Sequence, residues 1–333
     1  MKDSVKKKVS KAPKEVKKLP KLSAHKKKDF DMSAVKAEIE TKLKSGEIDH
    51  KTAEYAKQRA PAVHATNKAE AIEKEAPVRT KLIEKVKDRE YIFTGIPGFD
   101  QLLDVGIPSG GSYILAGGSG SGKTIMMLQI MNNLARQGKK CIYMSFEESE
   151  DRLIKHMQDF GWCAEECIKK GLIKIQRFSP FDVTRSVDAL LAKAKGELLI
   201  DIDPVILPKG FKPDFVFLDS LTAIAAAFTG KEENYRIYVE QLFRFFESIK
   251  ATSFLITETE QVPKIFSPTG VEEFLADGVI VLYAVRRGNI RENAVEILKL
   301  RGAKHQKKIV AMQIIGGKGI VVYPDQEIFG GID

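Results

Sequence analysis

From residue 112 onward the chain alternates short, almost uninterrupted apolar runs with stretches of helical period. The runs are SYILA (112–116), CIYMSF (141–146), LIKIQRF (172–178), FVFLD (215–219) and SFLIT (253–257). Runs of this length without polar alternation predict strands buried on both faces, and hence a parallel sheet with helices on each side. Beyond about residue 270 the helical periods stop, and GVIVLYAV, AVEILKL, KIVAMQII and GIVVYP follow one another. Strands that succeed each other without a helix predict an antiparallel extension of one sheet edge. The expected fold class is α/β: a mainly parallel core covered by helices, with C-terminal antiparallel strands, over residues 91–333.

Ahead of Tyr91 the texture differs. Residues 31–90 read as a helical extension, in which Val35, Ile39 and Leu43 share one face, Gly46 breaks the period and Pro61 stops a second helix. Shorter connecting helices are expected near 67–75 and 79–88. Residues 1–30 carry twelve lysines against Asp3, Glu15 and Asp29, a net of +9 that equals the formal charge of the whole chain. The rest is therefore neutral, and the basicity belongs to a disordered tail. By charge alone this tail can bind a nucleic acid or an acidic protein, or it can be a solvated arm.

A hydrophobic content of 43% supports a sizeable core. No apolar run approaches the ~18–20 residues of a membrane span. Three cysteines are too few for a disulfide framework, which points to a reducing cytoplasm. Cys163 and Cys167 fall in a helical stretch and read as packing or as an exposed thiol. His25, His50, His64 and His156 lack metal-ligand spacing.

The chemistry begins at AGGSGSGKT. Gly117, Gly118, Ser119, Gly120, Ser121, Gly122, Lys123 and Thr124 match G-x-x-x-x-G-K-[ST], after a strand and before a helix. Small residues let successive amides turn toward an anion, and the helix N-terminus adds its dipole. Lys123 is then placed for the β- and γ-phosphates, and the Thr124 hydroxyl for Mg²⁺. This loop needs a carboxylate at the end of a neighbouring strand. FVFLDS supplies Asp219 as the expected second metal residue, with a helix cap as the alternative. Glu147 and Glu148 follow another apolar strand and are candidates for activating water, Glu147 first. The other reading of this pair is capping of the next helix. Thr257 ends a central strand and is either a γ-phosphate sensor or a strand cap.

These motifs, in this order, resemble the KaiC branch of the RecA-like P-loop ATPases, here with one such domain where circadian KaiC has two. The resemblance covers residues ~92–325. It rests on TGIPGFDQLL (94–103), the phosphate loop, FEE (146–148), FGW (160–162), FLDSLTA (217–223), GVEEFLADGVIVL (270–282) and LKLRGAKH (298–305). It implies ATP and Mg²⁺ as ligands, slow hydrolysis, and a homo-oligomeric ring, hexameric, with ATP between subunits. It further implies that Lys299 and Arg301 reach the neighbour's γ-phosphate in trans, with His305 near the ribose or phosphates. Two departures stand out. Ala303 replaces the Thr or Ser usual in the family, and residues 270–281 contain no Ser or Thr, so autokinase activity is not expected.

The leading expectation is an ATPase ring acting in signalling or regulation. The alternative is a RecA/RadA-type recombinase paralogue that binds DNA with ATP, which the basic tail favours. Against it, residues 261–270 offer only Lys264 and Phe266 to a strand. A third reading is a nucleotide-dependent scaffold.

Overall fold

In a computed structural model of the chain, residues 81–179, 207–228, 232–287 and 290–327 are described, with a few isolated positions besides. The chain divides into compact units at 1–65 and 66–333, and the elements below belong to the second. The basic tail and the helices expected over 31–75 lie outside the described residues.

Nine strands form one sheet. Its parallel part comprises β4 (Ser112–Gly117), β5 (Cys141–Ser145), β6 (Ile173–Arg177), β7 (Phe215–Asp219), β8 (Thr252–Glu258) and β9 (Gly278–Arg287). The remaining strands, β10 (Ile290–Leu300), β11 (Val310–Ile315) and β12 (Gly319–Glu327), extend it antiparallel from β9. The order across the sheet is β12-β11-β10-β9-β4-β8-β7-β5-β6. Each apolar run is the strand its composition predicts, and the central ones are buried throughout.

Helices cover both faces, as two-sided burial requires. On one face lie α1 (Lys123–Arg136), α2 (Glu150–Asp159) and α3 (Ala164–Lys169), whose Met127, Met131, Leu153 and Cys167 join Tyr143, Phe217 and Phe254 of the sheet. On the other lie α4 (Leu221–Ala226) and α5 (Glu232–Ser248), packing Leu221, Tyr238 and Phe246 on Ile142, Val216 and Leu255. A short helix, α6 (Glu272–Leu275), leads into β9.

The helix expected near 79–88 is not formed. Residues Ile83–Val86 (β1) and Arg89–Ile92 (β2) make an antiparallel hairpin that continues to Ile107–Pro108 (β3). Lys87, at φ 56°, turns the chain without a glycine, so the punctuation that marks most hairpins is missing. Leu82, Tyr91 and Ile92 are buried, and the Phe93 amide donates to Leu82 O. The stretch is therefore held by the core, which a free connector would not be.

Candidate functional site

The C-terminal ends of β4, β8, β7 and β5 lie side by side, the edge at which open parallel sheets bind ligands. From β4 the chain enters the phosphate loop and then α1. Gly122 precedes that helix at φ 101°, a left-handed conformation that side chains oppose. Ser121 is fully buried with its hydroxyl unpaired among the described residues. Lys123 is buried as well. Its Nζ donates to Gly118 O at 3.0 Å and lies 4.0 Å from Glu258 Oε1 at the end of β8. Burial lowers its pKa, and the charges of Glu258, Asp219 and Glu147 oppose that shift.

Asp219 ends β7 and is 5% exposed. Its Oδ2 accepts from Thr124 Oγ1 at 3.0 Å and from Tyr143 Oη at 2.6 Å. Loss of water pushes its carboxyl up to about 6; the Tyr143 bond counteracts this, while the Glu147 charge adds to it. A buried carboxylate beside a threonine hydroxyl, short of positive charge, suits a hard divalent cation with oxygen ligands.

The two glutamates part company. Glu147 is exposed at the site edge, and its Oε1 accepts from Ser220 Oγ at 2.7 Å. Ser220 also caps α4 by accepting from the Ala223 amide. Glu148 turns to α2, with Oε2 at 3.0 Å from Arg152 Nε and 3.1 Å from His156 Nε2. Thr257 is fully buried and donates to Phe266 O at 2.7 Å.

Lys299 and Arg301 lie at the other end of the sheet. Leu300 pairs with Gly278, which pairs with Tyr113 near the start of β4, whereas Gly117 at the end of β4 pairs with Leu282. The two cations share one set of acceptors around α6. Lys299 Nζ donates to the carbonyls of Glu273, Phe274 and Ala276 at 2.8, 3.2 and 2.7 Å. Arg301 donates to Phe274 O at 2.7 Å and Leu275 O at 3.4 Å. The next residues dock on the TGIPGFDQLL stretch: His305 bridges Leu103, and the Gln306 amide donates to Leu102 O. Burial lowers the His305 pKa, as does Lys307. Within one protomer the structure thus brings Lys123, Thr124, Asp219 and Glu147 together and leaves Lys299, Arg301 and His305 apart from them.

Sequence reasoning missed two neighbours of this site and, away from it, one buried carboxylate. Tyr143 sits on Asp219. Arg291 of β10 reaches to within 3.8 Å of where a side chain on Gly120 would begin. Asp100 is buried and accepts from the Thr94 amide and hydroxyl and from the Gly95 amide, each at 2.8 Å. Its carboxyl is raised by desolvation, against those bonds. Only the last had a local signal, in its spacing from Thr94 and Gly95. Cys163 and Cys167, expected as packing or free thiol, are joined as a disulfide across the first turn of α3, with Cα atoms 5.9 Å apart. One-turn spacing makes that approach possible.

This fold and site define a P-loop α/β nucleotide-binding domain of RecA-like architecture. The KaiC ATPase family model matches residues 92–327, and the chain belongs to that family. It is 33% identical over 238 residues to circadian clock protein KaiC3 of Synechocystis sp., covering 71% of this chain and 46% of that protein. To the circadian clock oscillator protein KaiC of Prochlorococcus marinus it is 30% identical, covering 69% of this chain and 45% of the relative. The chain thus spans about half the length of these relatives. Among solved structures, a KaiC-like protein from Pyrococcus horikoshii OT3 superposes with a TM-score of 0.57 at 30% identity, over 73% of this chain and all of that one.

Proposed function

We propose that this chain is a Mg²⁺-dependent ATPase of low turnover that works as a ring of identical subunits in signalling or regulation. The observation that carries the reading is the convergence of Lys123, Thr124, Asp219 and Glu147 at one sheet edge, with a matched cation pair at the opposite edge. The loop amides and Lys123 bind the triphosphate. Thr124 and Asp219 hold Mg²⁺, which when bound neutralises charge on the β- and γ-phosphates. Glu147 accepts from Ser220 through Oε1 and keeps Oε2 for the attacking water. It orients that water and takes up its proton.

Lys299 and Arg301 cannot serve the phosphate loop of their own protomer. Along the strands Lys299 lies roughly 10 Å back from the end of β4 and Arg301 roughly 17 Å back, and both are turned toward α6. On a second copy they meet the γ-phosphate of the first and stabilise the charge that develops on it. Residues 270–281 carry no hydroxyl group, so phosphate passes to water rather than to this segment. Phosphate release measured with ATP and Mg²⁺ tests the reading: turnover abolished by Lys123→Ala and by chelation of Mg²⁺ supports it. Turnover that survives either change contradicts it.

A further inference from the structure

Gln261 lies three residues beyond β8, and its side chain rests on the phosphate loop. Its Nε2 donates to Ser119 O at 3.1 Å. A Cβ on Gly118 would stand 2.8 Å from Gln261 Cδ and 2.9 Å from Oε1, so the amide fits only because residue 118 has no side chain. Just before it, the Thr259 amide donates to Gly117 O at 3.2 Å. Oε1 is buried and has no hydrogen-bond partner among the described residues.

The segment that begins there ends at the cation pair. Phe266 O accepts from Thr257 Oγ1, and the Phe266 amide donates to Glu273 Oε2 at 3.0 Å. Glu273 O, with the carbonyls of Phe274, Leu275 and Ala276, holds Lys299 and Arg301. The outer side of the segment is thinly packed, with Val262, Ile265 and Phe274 exposed at 54, 61 and 73%. Such a stretch moves at lower cost than the strands beneath it.

We propose that Gln261 is a positioning residue that couples nucleotide at its own phosphate loop to the placement of Lys299 and Arg301, through residues 261–276. The proposal rests on the trans reading of those two cations. Its chemistry is an exchange of hydrogen-bond acceptors. Nε2 bonds a neutral carbonyl at Ser119, and a γ-phosphate oxygen bound at this loop would offer a stronger, charged acceptor. Drawing the amide toward phosphate shifts the start of the segment. The Phe266–Glu273 bond carries the shift to α6, whose carbonyls set where the cations point. Triphosphate in one subunit thereby biases what that subunit presents to the next.

The test compares wild type with Gln261→Ala and with Gln261→Glu, which has the same shape but donates nothing. Steady-state hydrolysis and particle mass are measured. Amide hydrogen exchange is followed with ADP and with a non-hydrolysable ATP analogue, both with Mg²⁺. In wild type, exchange over 271–277 differs between the two nucleotides. In both variants that difference disappears while the one over 117–124 persists, kcat falls about tenfold, and KM and mass change little. Wild-type turnover and exchange in both variants, beside an inactive Arg301→Ala, overturn the coupling alone. An Arg301→Ala protein of full activity overturns the trans reading and the coupling with it.

Discussion

The Ser220 hydroxyl donates to Glu147 at 2.7 Å while accepting from the Ala223 amide at 3.1 Å, so one residue caps α4 and fixes the carboxylate beside Asp219. Glu147 is therefore held at the site by the residue that follows Asp219. Glu148 has no such tie and spends its carboxylate on Arg152 and His156.

This difference predicts the order of three variants. Glu147→Gln lowers kcat by about 10²–10³-fold with nucleotide binding retained, within the range of a lost general base. Ser220→Ala lowers kcat by roughly five- to tenfold and leaves KM near wild type, because the base is present but less well aimed. Glu148→Gln stays within about twofold. Steady-state hydrolysis across the three proteins checks the ranking, and equal losses at Glu147 and Glu148 would falsify it.

Asp219 predicts a pH dependence in stability. Its carboxyl titrates near 6 in the fold, against an ordinary 3.8, because burial disfavours the charge. The fold therefore binds the proton more tightly than the unfolded chain does. Stability of the ligand-free protein falls as pH rises from about 4 to about 6, and the full cost, on the order of 3 kcal/mol, persists above that. Asp219→Asn, which keeps an acceptor for Thr124 and Tyr143, should raise the ligand-free melting temperature at pH 8 and change it little at pH 4. The same variant loses Mg²⁺-dependent hydrolysis. A melting temperature unchanged or lowered at pH 8 would contradict the electrostatic account.

Asp100 predicts a structural phenotype away from the chemistry. It ties Thr94 and Gly95 at the start of the stretch on which Leu102 and Leu103 receive Gln306 and His305. Asp100→Ala leaves buried donors unpaired and should cost about 2–4 kcal/mol by denaturant unfolding. A change below about 0.5 kcal/mol would show that the bonds do not matter.

The basic tail predicts where any nucleic-acid affinity resides. Deleting residues 1–30 should remove DNA binding and its salt dependence while leaving ATP turnover within about twofold. Affinity retained by the truncated protein would place DNA on the folded core and favour the recombinase reading.

Much of this was legible in the sequence where the signal is local. Continuous apolar runs predict the central strands, and the spacing of Gly117, Gly122, Lys123 and Thr124 predicts the phosphate loop before any contact is known. Signals failed where they depend on partners far along the chain. Lys-rich residues 79–88 are compatible with helix by composition, and only pairing with β2 and burial of Leu82 make part of them a strand. Tyr143 meets Asp219 because β5 lies beside β7, an order no local pattern contains. Gln261 reaches Ser119 because β8 lies beside β4. The acceptors of Lys299 and Arg301 belong to α6 and the residue that follows it, more than twenty residues earlier.

The central claim is that one subunit supplies the phosphate loop and a second copy the cations. It is tested by mixing Lys123→Ala protein with Arg301→Ala protein and measuring ATP hydrolysis. Each alone is inactive. At the mixed junctions an intact Lys123 from one protein faces an intact Arg301 from the other, so the mixture should recover a substantial fraction of wild-type turnover. A mixture no more active than its components, or an Arg301→Ala protein that hydrolyses ATP normally by itself, contradicts the claim.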